Sequence, residues 1–418
     1  MPNSKELWTK IFEVKKFDPK KDIHFVTATE IKRITKEEPR NMAKMDSTSD
    51  LPSIFKKNGY FLLPIENGKY AIIRGNGYHK LEKNKDVKQY DAYIKFTITT
   101  AARGASEMEY LDYSIYTGVL EEILGLGAMY PSIRGRGRSR SFDFFINKYQ
   151  LDVAGVQLEV DAGLEAENSI VLIEAKMQTP EDFIVRQLYY PYRHFGLISP
   201  KKNIVPVFFT YDLEKGIYKY WVYDFKKKID YNSIYLKSVH AFKIISTQPV
   251  DINELKPLEN LRIVDIPQAN DLDKVIKMVF NVNEKIDNYK KIADYFEFNQ
   301  RQSSYYRQAA ESLGLLSAHK GKYYLTEKGK ELINLPTGDR NIFFTKLLSE
   351  YELVRDSLDL LKQKSFLTDR DLVALVGRSN KISGSTVIRR AQSLKSWLKW
   401  IAERTKTFKQ EDKKFILT

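Results

Sequence analysis

Residues 156–177, VQLEVDAGLEAENSIVLIEAKM, constrain this chain more than any other stretch. Two runs rich in apolar and β-branched residues flank Ala166-Glu167-Asn168, a turn signal, so the segment reads as a β-hairpin. Side chains alternate faces along a strand, so Glu174 and Lys176 share one face and Ala175 takes the other. A turn at 166–168 sets Asp161 opposite Ile173 or Glu174, and in either register it reaches Glu174 directly or diagonally. The run IVLIEA is apolar on both faces, which suits a strand inside a sheet. Charges in such a strand are costly unless they are paired or bind metal. Asp161 and Glu174 are therefore candidate ligands for a hard divalent cation, with the Ala175 backbone carbonyl as a further ligand. Lys176, one step along, is placed to position a water or to neutralise charge on a phosphate. The competing reading is an internal ion pair in an ordinary sheet.

Asp161 followed by Glu174-Ala175-Lys176 resembles the motif of the PD-(D/E)XK nuclease superfamily, and within it the Type II restriction endonucleases. Val160 stands where a proline is usual. The run RQLYYPYR resembles the helix after the motif in several restriction enzymes, a resemblance that would imply a place for Gln187 near the site. It departs from the Q-x-x-x-Y pattern of RecB-like nucleases because the fourth residue after Gln187 is Pro191. That helix reads as 179–195, with Thr179 as N-cap and Pro180 at its first position. The resemblance spans roughly residues 100–245. It implies a mixed central β-sheet flanked by helices, catalysis by Asp161, Glu174 and Lys176, and Mg²⁺ as cofactor with Mn²⁺ as substitute. It also implies a helix before the motif that supplies another carboxylate. Residues 105–124 read as that helix, with Leu111, Ile115, Val119 and Ile123 near helical spacing and Gly125 and Gly127 ending it. Glu107, in its first turn, is preferred over Glu109.

The chain has no cysteine, and its five histidines show no ligand spacing. Oxygen ligands remain, and these suit Mg²⁺ or Mn²⁺. The net charge of +14 points to a polyanionic partner, here double-stranded DNA. Residues 271–418 hold 28 Lys and Arg against 19 Asp and Glu, so the basic excess is densest in the C-terminal third. In IRGRGRSR, residues 133–140, Arg134, Arg136 and Arg138 alternate with small residues, an arrangement suited to phosphate oxygens. No apolar run approaches about 18 residues, and the N-terminus lacks a signal-peptide core. The expectation is a cytoplasmic protein with no membrane partner.

Five segments are expected: an N-terminal α+β domain over 1–98, a catalytic domain over 99–248, a linker over 249–270, and two C-terminal domains over 271–334 and 335–418. Three helices and a hairpin in 271–334 resemble a winged-helix module, and 335–418 looks like a more worn copy. The third helix of the first copy would present Arg301, Gln302, Ser304 and Arg307 to the major groove, with Lys320 and Lys322 in the wing. Arg389 and Arg390 give the second copy a basic edge. The expected fold class is thus α+β or α/β multidomain, a PD-(D/E)XK nuclease core followed by two winged-helix domains. The expected function is that of a Type II restriction endonuclease, hydrolysing double-stranded DNA sequence-specifically with Mg²⁺. A cognate DNA methyltransferase would be its functional partner, and one active site per chain favours a homodimer when both strands are cut. The alternatives are a DNA repair or junction-resolving nuclease, and a non-catalytic winged-helix regulator on a degenerate nuclease fold.

Overall fold

The apolar run Ser169–Met177 becomes a central strand of a mixed sheet, and every residue from Ser169 to Ala175 is buried. This computed structural model describes residues 4–84, 86–92, 106–259, 266–296, 300–335, 337–378 and 384–418. Among them two units separate, one built from residues 4–88, 106–111 and 118–243, the other from 89–92, 112–117 and 244–418. No helix among the described residues is long and apolar enough to cross a membrane.

The N-terminal part of the first unit runs through α1 (Ser4–Val14), β1 (Ile23–Thr27), α2 (Ala28–Thr35), α3 (Pro39–Met42), α4 (Ser53–Asn58), β2 (Tyr60–Glu66), β3 (Lys69–Arg74) and β4 (Tyr78–Lys80). Thr27 caps α2 in a capping box with Glu30. Asn67-Gly68 forms the two-residue turn between β2 and β3, with Gly68 at φ 74°. The strand β5 (Lys88–Ala92) follows, then α5 (Glu107–Tyr116) and α6 (Val119–Leu124). The single helix expected over 105–124 is broken at Gly118, whose φ of 78° interrupts the helical backbone.

The sheet strands come next: β6 (Tyr130–Arg138), β7 (Phe142–Ile146), β8 (Tyr149–Val153), β9 (Gln157–Glu165), β10 (Ser169–Met177), β11 (Asp182–Ile184), β12 (Asn203–Asp212), β13 (Ile217–Phe225) and β14 (Ile234–Ser246). The helix α7 (Arg186–Ile198) lies between β11 and β12. Six strands stand in the order β14-β13-β12-β10-β9-β6. β10 is antiparallel to β9 and parallel to β12, so the sheet is mixed. The arginine-rich stretch is an edge strand, β6, paired antiparallel to β9. Ile133 packs so closely on β9 that a Cβ at Gly163 would lie 2.5 Å from the Ile133 Cβ.

α7 begins at Arg186, not at Pro180. The capping signal at Thr179 is overridden by tertiary contacts. Phe183 pairs with His79 in the β11–β4 ladder, and Phe183 and Ile184 are buried. The Asp182 carboxylate accepts from the Ser47 hydroxyl at 2.7 Å, the Thr48 amide at 2.8 Å and the Thr48 hydroxyl. Apolar residues between Trp8 and Tyr78 also share a core with the rest of the unit, where Trp8, Phe55 and Leu63 join Phe144, Tyr189 and Tyr190.

The second unit contains α8 (Leu272–Asn283), α9 (Tyr289–Phe296), α10 (Gln300–Ser312), the hairpin β15 (Leu316–His319) and β16 (Lys322–Leu325), and α11 (Glu327–Asn334). Asn288, between α8 and α9, bridges to Lys322 on β16. Then come α12 (Thr337–Leu348), α13 (Glu352–Lys364), β17 (Phe366–Thr368), α14 (Asp369–Gly377), α15 (Ser385–Thr405), β18 (Phe408–Glu411) and β19 (Lys414–Leu417), with the three strands ordered β17-β19-β18. Both halves contribute to one apolar core, in which Leu272, Leu313 and Leu332 meet Leu361, Trp397 and Leu398. The segment expected as a linker adds Ile252, Leu255, Ile266 and Ala269 to that core. The Trp397 indole donates to the Ala269 carbonyl at 2.8 Å, and Arg404 clamps Asp273 with two bonds of 2.7 Å.

Asp182→Ala leaves three donors without their charged acceptor and should cost about 1.5–3 kcal/mol in urea unfolding. A loss well under 1 kcal/mol would show that the turn before α7 is held by apolar packing alone.

Candidate active site

The last ladder pair between β9 and β10 is Ala162 with Ile173, so continuing the antiparallel register sets Asp161 across from Glu174. Asp161 Oδ2 accepts the Ala175 amide N–H at 2.8 Å. Glu174 Oε1 accepts from the Lys176 ammonium and from Gln187 Nε2, the latter at 2.6 Å. α7 thus delivers Gln187 to the carboxylate from outside the sheet. Gln187 Oε1 is buried without a hydrogen-bond partner among the described residues. These groups line a cleft of about 660 Å³, together with Glu107 at the start of α5 and Arg136 on β6.

Burial dominates the electrostatics. It pushes the Glu174 carboxyl up to about 7, against the pull of Lys176. Burial also raises Asp161, while the Ala175 amide and Lys176 lower it and the nearby charge of Glu107 adds to the rise. Desolvation alone would depress Lys176, but the carboxylates of Glu174 and Asp161 hold it above the usual lysine value. Two carboxyls are thus held in a setting that favours their protonation, as residues that bind a cation or act as a general acid are.

The other expected residues divide. Arg134, Arg136 and Arg138 are exposed on β6. Arg136 pairs with Glu159 at 3.1 Å, and Arg138 donates to the Gly155 carbonyl at 3.1 Å. In the second unit Ser304 is half-buried, and Arg307 is tied to Glu311 at 2.6 Å along its own helix. Lys320 and Lys322 are exposed at the hairpin. The Arg301 and Gln302 side chains lie outside the described residues. Arg389 and Arg390 line a separate pocket with residues of α10. Sequence reasoning missed the other cleft wall: Arg40 and Lys44 are exposed there, and Arg186 faces Asp46 at 4.0 Å. Only the Glu38-Pro39 helix start hinted at this segment, and nothing local showed which face would meet Asp161.

The donor set fits a hard cation. Asp161 and Glu174 are carboxylates on adjoining strands, and the buried Gln187 oxygen is unsatisfied. Among the described residues no three His, Asp or Glu side chains converge into a complete cage, so water or phosphate oxygens would finish the coordination. Asp161 Oδ2 engages the amide of Ala175, while Lys176 and Gln187 both occupy Glu174 Oε1.

Fold and site together define a mixed α/β protein with a two-carboxylate and lysine cleft. Residues 5–72 match a domain of unknown function (DUF6996), residues 73–243 a second (DUF6997) and residues 274–406 a third (DUF7226). No curated protein and no solved structure matches the chain. Glu107, Arg136, Asp161, Glu174, Lys176 and Gln187 all fall within the 73–243 match, and Arg40 and Lys44 within the 5–72 match.

The raised Glu174 carboxyl sets a pH dependence. Its proton is favoured in the folded protein up to about pH 7, so a cation must displace that proton below this point. Mn²⁺ affinity measured by calorimetry should therefore fall as pH drops below about 7, by up to about tenfold per unit for one displaced proton. Affinity flat from pH 5.5 to 8 would show that Glu174 is not a ligand.

Proposed function

We propose that this chain is a Type II restriction endonuclease of the PD-(D/E)XK kind, which hydrolyses phosphodiester bonds of double-stranded DNA at a specific sequence. The observation that carries the reading is Glu174, buried in a central strand and bonded by Lys176 and Gln187, with Asp161 of the adjoining strand on the amide of Ala175. An ordinary sheet gains nothing from such a cluster, because replacing a buried ion pair by apolar residues is often neutral or stabilising.

Mg²⁺, or Mn²⁺ in its place, would supply Lewis-acid stabilisation of charge on the phosphate. Asp161 and Glu174 would hold it. Lys176 orients the attacking water or neutralises charge on the phosphorus oxygens. Gln187 fixes the rotamer of Glu174 through its 2.6 Å bond. Arg40 and Lys44, exposed on the cleft wall, suit the DNA backbone. The winged-helix reading of the second unit is supported by its helix–helix–helix–hairpin order and by the Asn288–Lys322 bridge. Those modules would help choose the site, and a second copy of the chain would let both strands be cut. A partner methyltransferase would protect host DNA.

The test is a digest of mixed DNA with Mg²⁺, resolved on a gel. Discrete bands support restriction, a smear supports a nuclease without site choice, and intact DNA with tight binding favours the non-catalytic regulator. Asp161→Ala, Glu174→Ala and Lys176→Ala should each abolish cleavage while circular dichroism stays native. Gln187→Ala, which loses only the support of a ligand, should reduce the rate by roughly 10–100-fold. Near-normal cutting by purified Asp161→Ala would sink the assignment.

A further inference from the structure

A pocket of about 400 Å³ lies within the second unit, apart from the carboxylate cleft. One wall is α10, where Tyr305, Gln308 and Ser312 stand at i, i+3 and i+7 and share a face. The other is the start of α15, where Thr386, Arg389 and Arg390 stand at i, i+3 and i+4. Pro267 and Gln268 complete the lining, so no carboxylate lines the pocket among the described residues.

The two arginines differ in how they are satisfied. Arg389 Nη2 donates to Thr386 Oγ1 at 3.3 Å. Arg390 Nε is buried and has no hydrogen-bond partner among the described residues. The Ser312 hydroxyl is already engaged with Tyr351. A buried guanidinium donor left unpaired is costly, and the guanidinium fork matches phosphate oxygens in geometry and charge. Two guanidinium groups and two side-chain amides line the pocket with no carboxylate beside them, a donor set suited to an anion of that shape.

We infer that this pocket is a phosphate-binding site, with Arg389 and Arg390 as its charged donors and Gln268 and Gln308 as its amide donors. The phosphate is carried by a DNA backbone or by a free phosphate compound, and the chemistry of recognition is the same. Only the DNA source rests on the function proposed above. The pocket also gives the polar face of α10 a role that single-helix groove reading does not require.

The experiment uses the full chain in EDTA, so that no cation bridges a phosphate to the carboxylate cleft. Inorganic pyrophosphate binding is measured by calorimetry, and binding of a short duplex by anisotropy across a salt series. Both are repeated with Arg390→Gln and with Gln308→Glu, which keep good helix formers and respectively remove a cation or add an anion. The wild type should bind pyrophosphate, and both variants should weaken it by about tenfold or more while their melting curves stay native. If Arg390→Gln also lowers the salt slope for duplex binding by about 1, the phosphate belongs to DNA. That slope change without pyrophosphate binding assigns the site to DNA as well. If duplex binding is unchanged while pyrophosphate binding is lost, the site serves a free phosphate compound. Variants that match the wild type in both assays overturn the proposal. Asp161→Ala, which tests the cleft, should leave pyrophosphate binding intact, so the two readings fail separately.

Discussion

Glu174 sits in β10 between Ile173 and Ala175, and a carboxylate in that position costs several kcal/mol of desolvation. The strand tolerates it because Ile170, Val171, Leu172 and Ile173 are all buried beside it, each contributing roughly 1.5–3 kcal/mol. The rest of the cleft is arranged around that carboxylate. β9 brings Asp161 onto the amide of Ala175 beside it, α7 brings Gln187 onto it, and the two-residue step along β10 brings Lys176. None of these partners fully neutralises the cost, which is why burial still outweighs Lys176 and the carboxyl remains easy to protonate. A cation is the partner that would complete the balance.

The surroundings hold this arrangement rigid. Aromatic rings pack behind α7, where Tyr189 and Tyr190 meet Phe144 edge-on at 5.6 and 6.0 Å between centroids. The Tyr190 hydroxyl reaches the Pro64 carbonyl at 2.9 Å, which ties α7 to β2. Asp182 binds the loop at Ser47 and Thr48. The stretch from Arg40 to Tyr70 is therefore part of the structure that shapes the cleft, and Arg40, Lys44 and Asp46 line it from that side.

The second unit illustrates a different economy of packing. Its two halves are each too small for a generous core, and they pool their apolar faces instead. Trp397 and Trp400 on α15 are buried, and each indole N–H is satisfied, by Ala269 and Asp273 respectively. Both tryptophans therefore serve packing and are not available to stack on bases. Pooling also turns one polar face of α10 toward α15, which creates the arginine pocket.

Much of this was legible in local pattern. The β9–β10 hairpin and the helix–helix–helix–hairpin order both follow from alternation, turn chemistry and glycine placement. The pairing of Asp161, Glu174 and Lys176 followed too, because strand geometry leaves few registers. What the sequence misread depended on distant partners. The capping signal at Thr179 lost to the β4 ladder and to the grip of residues 47–48 on Asp182. A proline-punctuated stretch read as a linker became core, since Ile252, Leu255 and Ile266 found apolar surface outside their own segment. The sequence by itself determined which residues alternate, which turn and which strand must carry buried charge, because those depend on neighbours a few residues away. Only the tertiary structure decided that Gln187 would meet Glu174, that Arg40 and Lys44 would wall the cleft, and that Arg389 and Arg390 would face α10, because those contacts join residues the local pattern cannot connect.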